Sequence, residues 1–379
     1  MAVPAASRAA MDLPTPGCIA KPTPGVHDAI VLHGGPFDLR LAVLALGGGT
    51  GHLLRALAFA RAAAARGHRT RILASSLFTD VILRAIAPSE VNVVRATGSA
   101  DAQRQLARQW LAAEADDALV VDTFPRGLLG ELDGALRTCP RVLVHRDLAD
   151  AYALRRETRE AASTFDAILS PGETGPLAES ACAVMTAPWL LAAGAVLVDA
   201  TTARRFFGAS HDAAAESGAG AVPVVVIATT NDDDEARKLL STGRALAEEL
   251  RGRVHVAFAD LRASDAPLPL ARLLAGVDLL VGAGGYHLVH EARATRTPLA
   301  ALPAHRAYDA QWRRLRPEER AADLTEIASR IRGATPRTTT PPPSIEDGAA
   351  HGVRVVEELI SRAREHRSTR GSAGPAPHR

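Results

Sequence analysis

Leu41-Ala-Val-Leu-Ala-Leu46 runs directly into Gly47-Gly48-Gly49-Thr50-Gly51-His52, and Leu53 to Ala65 then returns to apolar residues at helical spacing. A short apolar run, a glycine turn and a helix together read as a buried parallel strand entering the helix that covers it. The same alternation continues outward. Thr70 to Ala74, Val91 to Val94, Ala118 to Val121, Arg141 to Val144 and Ala167 to Leu169 are further short apolar runs, separated by longer stretches of helical period. Strand and helix repeated in this way predict an α/β fold with a parallel sheet covered on both faces.

The alternation stops at Gly208-Ala-Ser-His-Asp-Ala-Ala-Ala-Glu-Ser-Gly-Ala-Gly-Ala221, a low-information stretch expected to be a linker or loop, and then restarts. Pro223 to Ala228, Val254 to Phe258, Val277 to Val281 and Leu299 to Leu302 read as strands, with helices over 234–250 and Leu268 to Leu274. The expected organisation is an irregular leader over 1–38, a first domain over 39–207, the linker 208–221, a second domain over 222–334 and a Pro/Thr-rich break over 335–348. A C-terminal helix follows over 349–366, then a disordered tail over 367–379.

At 379 residues, 47% hydrophobic and 23% charged, the chain has the balance of a two-domain globular protein. Its formal charge of +2 gives no basic field for nucleic acid, so no nucleic-acid partner is expected. Cys18, Cys139 and Cys182 are isolated, which argues against a disulfide framework or a structural zinc. With no long apolar run and no basic-then-apolar leader, the expected location is the cytoplasm. Peripheral contact at the inner membrane face stays open through Arg61, Arg66, Arg69 and Arg71, although such a cluster is more often a solvated helix end.

The turn at Gly47–His52 presents backbone N–H groups and a helix N-terminus at the carboxyl edge of the sheet. It is no phosphate loop, because no Gly-Lys-Ser/Thr follows. Nor does it match the dinucleotide fingerprint, since the third glycine position falls on His52 or Leu54 and the second strand ends in Ser75 and Ser76 rather than an acid. What it offers is an imidazole at the helix start, kept neutral by the positive helix end and able to act as a general base. The plainer reading of the glycines is close packing, with His52 as a helix-start residue.

A second turn repeats the pattern in Gly282-Ala-Gly284-Gly285-Tyr-His287-Leu-Val-His290-Glu291. Glu291 lies four residues after His287 on the same helix face, where its two oxygens match the vicinal hydroxyls of a ribose. Asp309 and Gln311 fall on the loop after the next strand, suited to sugar hydroxyls. His287, His290 and Glu291 do not follow the order of a zinc-binding motif, so no metal is expected. Glu291 could also be a solvated residue pairing with Arg293 or Arg296.

These stretches together resemble the GT-B glycosyltransferases, specifically the MurG-like group, glycosyltransferase family 28. The likeness rests on Gly49-Thr50-Gly51-His52 with Arg55, on Val120-Val-Asp122-Thr-Phe-Pro-Arg126-Gly-Leu-Leu-Gly-Glu131 followed by His145-Arg146-Asp147, and on Gly284 to Glu291 with Asp309 and Gln311. It implies two Rossmann-like domains facing each other across a cleft, and a sugar moved from a nucleotide-diphosphate sugar to a hydroxyl on a small-molecule or lipid-linked acceptor. It further implies no metal or other cofactor, and a nucleotide-sugar co-substrate, a UDP-sugar in the first instance. Carried over, Gly284 and Gly285 would contact the diphosphate, Glu291 the ribose, and Asp309 with Gln311 the donor sugar, with His287 among the donor-side residues. His52 would deprotonate the acceptor, and Gly49, Thr50, Gly51, Asp122, Arg126, Arg146 and Asp147 would line the acceptor side. The last helix would cross back to the first domain.

One departure from the pattern follows the first strand of the second domain. Thr229-Thr230-Asn231 leads into Asp232-Asp233-Asp234-Glu235, and four acids would repel a nearby diphosphate, although Thr229 and Thr230 can supply hydroxyl donors. Two other functions therefore stay open: a nucleotide-sugar hydrolase in which His52 activates water, and a non-catalytic partner protein that binds sugar nucleotide.

Overall fold

The computed structural model describes residues 38–86, 91–134, 139–180, 182–209, 221–229, 234–261, 267–337 and 344–371. Seven strands form the first sheet: β1 (Arg40–Ala45), β2 (Arg69–Ala74), β3 (Val91–Arg95), β4 (Ala118–Asp122), β5 (Arg141–Val144), β6 (Ala167–Pro171) and β7 (Ala183–Thr186). They are parallel and lie in the order β3-β2-β1-β4-β5-β6-β7. Four more form the second: β8 (Val224–Thr229), β9 (His255–Asp260), β10 (Leu279–Gly282) and β11 (Leu299–Ala301), parallel in the order β11-β10-β8-β9.

The helices are α1 (Thr50–Ala64), α2 (Thr79–Ile86), α3 (Ala100–Ala113), α4 (Asp150–Ala153), α5 (Arg156–Ala162), α6 (Ala200–Phe206), α7 (Asp234–Glu249), α8 (Tyr286–Ala294), α9 (Gln311–Arg314), α10 (Leu324–Arg332) and α11 (Gly348–Gly371). Alternating side chains of β1 serve two cores, as a strand buried on both faces requires. Leu41, Val43 and Ala45 pack with Leu53, Leu57 and Phe59 of α1 and with Val353, Val356 and Ile360 of α11, whereas Ala42 and Leu44 face Trp110 and Ala107 of α3. The alanine-rich α1 is thus covered by the sheet on one side and by α11, returning from the second domain, on the other.

Several sequence expectations need correction. Strand β7 gave no distinct apolar run, because its burial pattern is only partial. Helix α6, read as the end of the first domain, packs instead on the second: Arg204 reaches Asp278 at 2.6 Å and Phe207 lies in the core with Val224 and Leu280. The helix expected over Leu268 to Leu274 is a 3₁₀ turn at Leu270–Gly276, and α11 continues to Gly371, past the expected end at 366. The leader, Thr230 and the acids Asp232 and Asp233, most of the linker, the centre of the Pro/Thr break and the tail beyond 371 lie outside the described residues.

Strand order fixes where a ligand can sit. In the first sheet the chain reverses its direction of winding between β1 and β4, and in the second between β8 and β10. At such a switch point the connections leave in opposite directions and open a crevice at the carboxyl ends of the strands. The turn after β1 carries His52, β4 ends in Asp122, β8 ends in Thr229, and the turn after β10 carries Gly284 and Gly285. Both crevices open into one cleft.

Candidate active site

The cleft has a volume of about 560 Å³ and its walls include Gly48, His52, Arg146, Thr229, Gly285 and Tyr308. On the first-domain side, the imidazole of His52 folds back over the glycine turn. A Cβ on Gly47 would stand 2.5 Å from His52 Nε2, so only glycine permits the ring to lie there. His52 Nδ1 is 2.5 Å from Asp122 Oδ2, and Arg55, one turn along α1, grips the same carboxylate through Nε at 2.8 Å and Nη2 at 2.7 Å. Thr123 Oγ1 donates to Asp122 as well, at 3.0 Å.

Burial by itself would raise the Asp122 carboxyl, but the Arg55 guanidinium and His52 outweigh it and hold the acid far below its usual range. The ionised acid makes Nδ1 the donor and leaves a lone pair on Nε2, which has no partner among the described residues. Loss of water lowers the His52 pKa, and Arg55 and Arg146 lower it further, against the opposing pull of Asp122. The ring is therefore neutral at neutral pH. It stacks on Phe124 with centroids 5.6 Å apart.

On the second-domain side, the N-terminus of α8 points into the cleft, where Gly285 lies open and Gly284 does not. Gly284 packs against Gln311 and Leu315, and its carbonyl accepts Arg314 Nη1 at 2.7 Å. His287 crosses to the first turn, with Nε2 3.4 Å from the Gly51 carbonyl. Desolvation and the nearby Arg55 push its pKa down to about 3. Thr229 presents a buried hydroxyl with no hydrogen-bond partner among the described residues.

Glu291, which the resemblance would set against a ribose, lies away from the cleft wall. It is 5% exposed, does not line the cleft, and accepts the Ala271 N–H at 3.1 Å in the 3₁₀ turn. Burial pushes its carboxyl up to about 8. His287, His290 and Glu291 point to three different partners, since His290 meets Glu173 at 3.4 Å.

Asp309 and Gln311 do reach the cleft, on a loop that is tied to the first domain. Asp309 pairs with Arg146 at 3.2 Å and Arg314 at 2.9 Å, and Gln311 accepts the Ala304 N–H at 3.0 Å. Leu148 and Asp309 bridge in antiparallel fashion. Asp147 lies behind the cleft wall, bound to Arg313 at 2.8 Å; burial raises its carboxyl to about 6. Arg126 lies in a neighbouring cavity, paired with Asp133. Gly49, Thr50 and Gly51 line the cleft.

Sequence reading missed the residues that hold the two domains together. Glu173, just after β6, binds Arg314 through Nε and Nη2 and accepts the Asp147 N–H at 2.7 Å. Tyr286 accepts from the Trp189 N–H at 2.9 Å and donates to the Pro171 carbonyl at 3.0 Å, with Arg55 over its ring at 4.8 Å. The only signal was the Arg313-Arg314 pair beside Gln311. The four arginines weighed for peripheral membrane contact each have a protein partner: Arg66 binds Glu357, Arg69 binds Asp38, Arg71 binds Asp116, and Arg61 reaches the carbonyls of Leu191 and Ala193. No helix among the described residues is long and apolar enough to cross a membrane.

No family model matches the sequence, and no curated protein does either. Solved structures do match. Arabidopsis thaliana UGT89C1, complexed with UDP-L-rhamnose, aligns at 12% identity over 86% of this chain and 99% of its own, with a TM-score of 0.53. The UDP-N-acetylglucosamine 2-epimerase of Rickettsia bellii aligns at 10% identity over 86% and 98%, with a TM-score of 0.51. MurG of Acinetobacter baumannii aligns at 13% identity over 85% and 100%, with a TM-score of 0.48. The chain has the GT-B fold, two parallel-sheet domains whose switch points face each other across one cleft.

Proposed function

We propose that the chain transfers a sugar from a nucleotide-diphosphate sugar to a hydroxyl acceptor, with His52 as the general base. The observation that carries this reading is the neutral imidazole of His52, oriented by a buried ionised Asp122 and facing the N-terminus of α8 across the cleft. Nε2 takes the proton of the acceptor hydroxyl as its oxygen attacks the anomeric carbon. The bond from that carbon to the diphosphate oxygen breaks, and the diphosphate leaves with the electron pair. The negative charge then gathers where the Gly285 turn, the positive end of α8 and the Thr229 hydroxyl are already in place to receive it. Preorganised donors of this kind need no metal to stabilise the leaving group.

The test is calorimetric titration with UDP-, TDP- and GDP-sugars, followed by product analysis with and without acceptor. Saturable binding of one donor is expected, and His52→Ala should keep that affinity while turnover falls by about 10²- to 10⁴-fold. Because the base is held below its ordinary pKa, the acid limb of the rate profile should lie below about pH 6.5. Full turnover in His52→Ala would remove the base assignment. Free sugar released at one rate with or without acceptor would reassign the site to hydrolysis.

A further inference from the structure

Arg55 does not line the cleft, yet it lies between the two halves of the site and is fully buried. Its Nε and Nη2 take both oxygens of Asp122, at 2.8 and 2.7 Å, while its guanidinium carbon lies 4.8 Å from the centre of the ring of Tyr286, the first residue of α8. We propose that Arg55 is a positioning residue that arms His52 only while the second domain is seated: the Tyr286 ring holds the guanidinium, the guanidinium holds Asp122, and Asp122 holds the base. The inference rests on His52 being the base and adds the device that governs it.

The fork fixes Asp122 in a way that a point charge would not. Oδ2 receives His52 Nδ1 at 2.5 Å, Arg55 Nη2 at 2.7 Å and Thr123 Oγ1 at 3.0 Å, and Oδ1 receives Arg55 Nε. Two bonds from a planar guanidinium set the plane of the carboxylate, and with it the direction in which the imidazole must lie. Thr123 is bent to the same end. It has φ +74°, a conformation that a β-branched residue rarely adopts, and there its hydroxyl accepts from Arg55 Nη2 at 3.2 Å while donating to Asp122. The fork also balances charge, since a lone carboxylate would keep a proton on the imidazole beside it. Burial holds the His52 ring below its ordinary range, and Arg55 and Arg146 add to this against the pull of Asp122. The other titratable neighbours are Glu173, after β6 on the Arg55 side, and the neutral His287 on α8.

The far end of the relay belongs to the second domain. Arg55 Nη1 has no hydrogen-bond partner among the described residues, and a Cβ on Gly51 would stand 3.4 Å from it. The negative face of the Tyr286 ring supplies what this buried cation otherwise lacks. Tyr286 is itself pinned by its hydroxyl between the Trp189 N–H and the Pro171 carbonyl, so the ring follows the start of α8. Gly285, the N-cap of that helix, is where the leaving diphosphate gathers its charge in the proposed reaction. A shift of α8 as donor enters or product leaves is therefore felt at His52.

The test is nitrogen-15 NMR of the His52 ring in the full chain labelled at histidine, with His52→Gln assigning the signals. The titration runs from about pH 4 to pH 9 without substrate, so it reads the relay whether or not sugar is transferred. In the wild type the neutral ring should carry its proton on Nδ1. Arg55→Met should make the ring bind its second proton about tenfold more tightly. Tyr286→Leu should move it in the same direction, whereas Tyr286→Phe, which loses both hydrogen bonds but keeps the ring, should leave the titration in place. Circular dichroism checks that each variant is folded. If Arg55→Met does not fold, Arg55→Lys keeps the charge without the fork and should leave the ring in a mixture of tautomers. An unchanged titration in Arg55→Met or Tyr286→Leu, a movement in Tyr286→Phe as large as in Tyr286→Leu, or a single tautomer in Arg55→Lys would each overturn the proposal. Full turnover in His52→Ala with the ring titrations as expected would keep the relay while the base reading fails.

Discussion

The turns after β1 and β10 have the same local grammar, a buried strand, glycines and a histidine within the first turn of a helix, yet they give two imidazoles of different character. His52 stands 2.5 Å from an ionised acid that is itself fixed by Arg55. His287 has a backbone carbonyl at 3.4 Å and an Nδ1 with no partner among the described residues, and its pKa falls to about 3. Burial makes both rings neutral, and the nearby Arg55 adds to the effect; only the carboxylate at the end of β4 gives one of them a fixed tautomer and a place to hold positive charge once it has taken a proton. The difference lies in a residue 70 positions away in sequence, brought close by the pairing of β1 with β4.

The comparison can be broken most severely at Asp122. Asp122→Asn leaves the Arg55 guanidinium buried without its counter-charge, and a loss of about 3–5 kcal/mol in urea unfolding is expected, with turnover lost alongside. A change under about 1 kcal/mol would mean that the Arg55–Asp122 pair is not what holds the first turn.

A smaller effect should appear behind the second turn, at Glu291. Its folded pKa, about 8, lies above the ordinary 4.5, so the stability it permits is complete below about pH 4.5 and falls as the pH rises towards 8. Glu291→Gln keeps an acceptor for the Ala271 N–H but cannot ionise. Its melting temperature should therefore exceed that of the wild type at pH 8 and match it near pH 4.5. An equal difference at both pH values would contradict a buried, protonated carboxyl.

The smallest effect is expected at His287. With no acid to orient it, His287→Ala should change turnover by less than about tenfold and leave the pH profile in place. A loss as large as that for His52→Ala would erase the distinction between the two turns.

The sheet architecture was legible because strands buried on both faces are written as unbroken apolar runs, and the glycine turns punctuate them. His52, Thr229 and Gly285 were legible for the same reason, since each sits where a strand ends. The pairing of His52 with Asp122 was not, because proximity across β1 and β4 depends on strand order, which periodicity does not encode. The surroundings of Glu291 were not legible because helical spacing gives the face a residue occupies but not what covers it, and here the 3₁₀ turn at Leu270–Gly276 does. Glu173 was invisible for a further reason: a lone acid in a loop acquires meaning only from Arg314, which belongs to the other domain.

The contacts of Tyr286 carry a consequence for how the molecule comes apart. Between the sheets lies a small core of its own, in which Tyr286 and Ala271 of the second domain pack with Leu190, Ala192 and Ala193 of the connecting segment and with Ile345 ahead of α11. Separating the domains would expose this apolar surface, strip Tyr286 of both hydrogen-bond partners and part Arg314 from Glu173. The boundary is therefore packed like interior, and the two sheets are expected to unfold together rather than as two bodies joined by a tether.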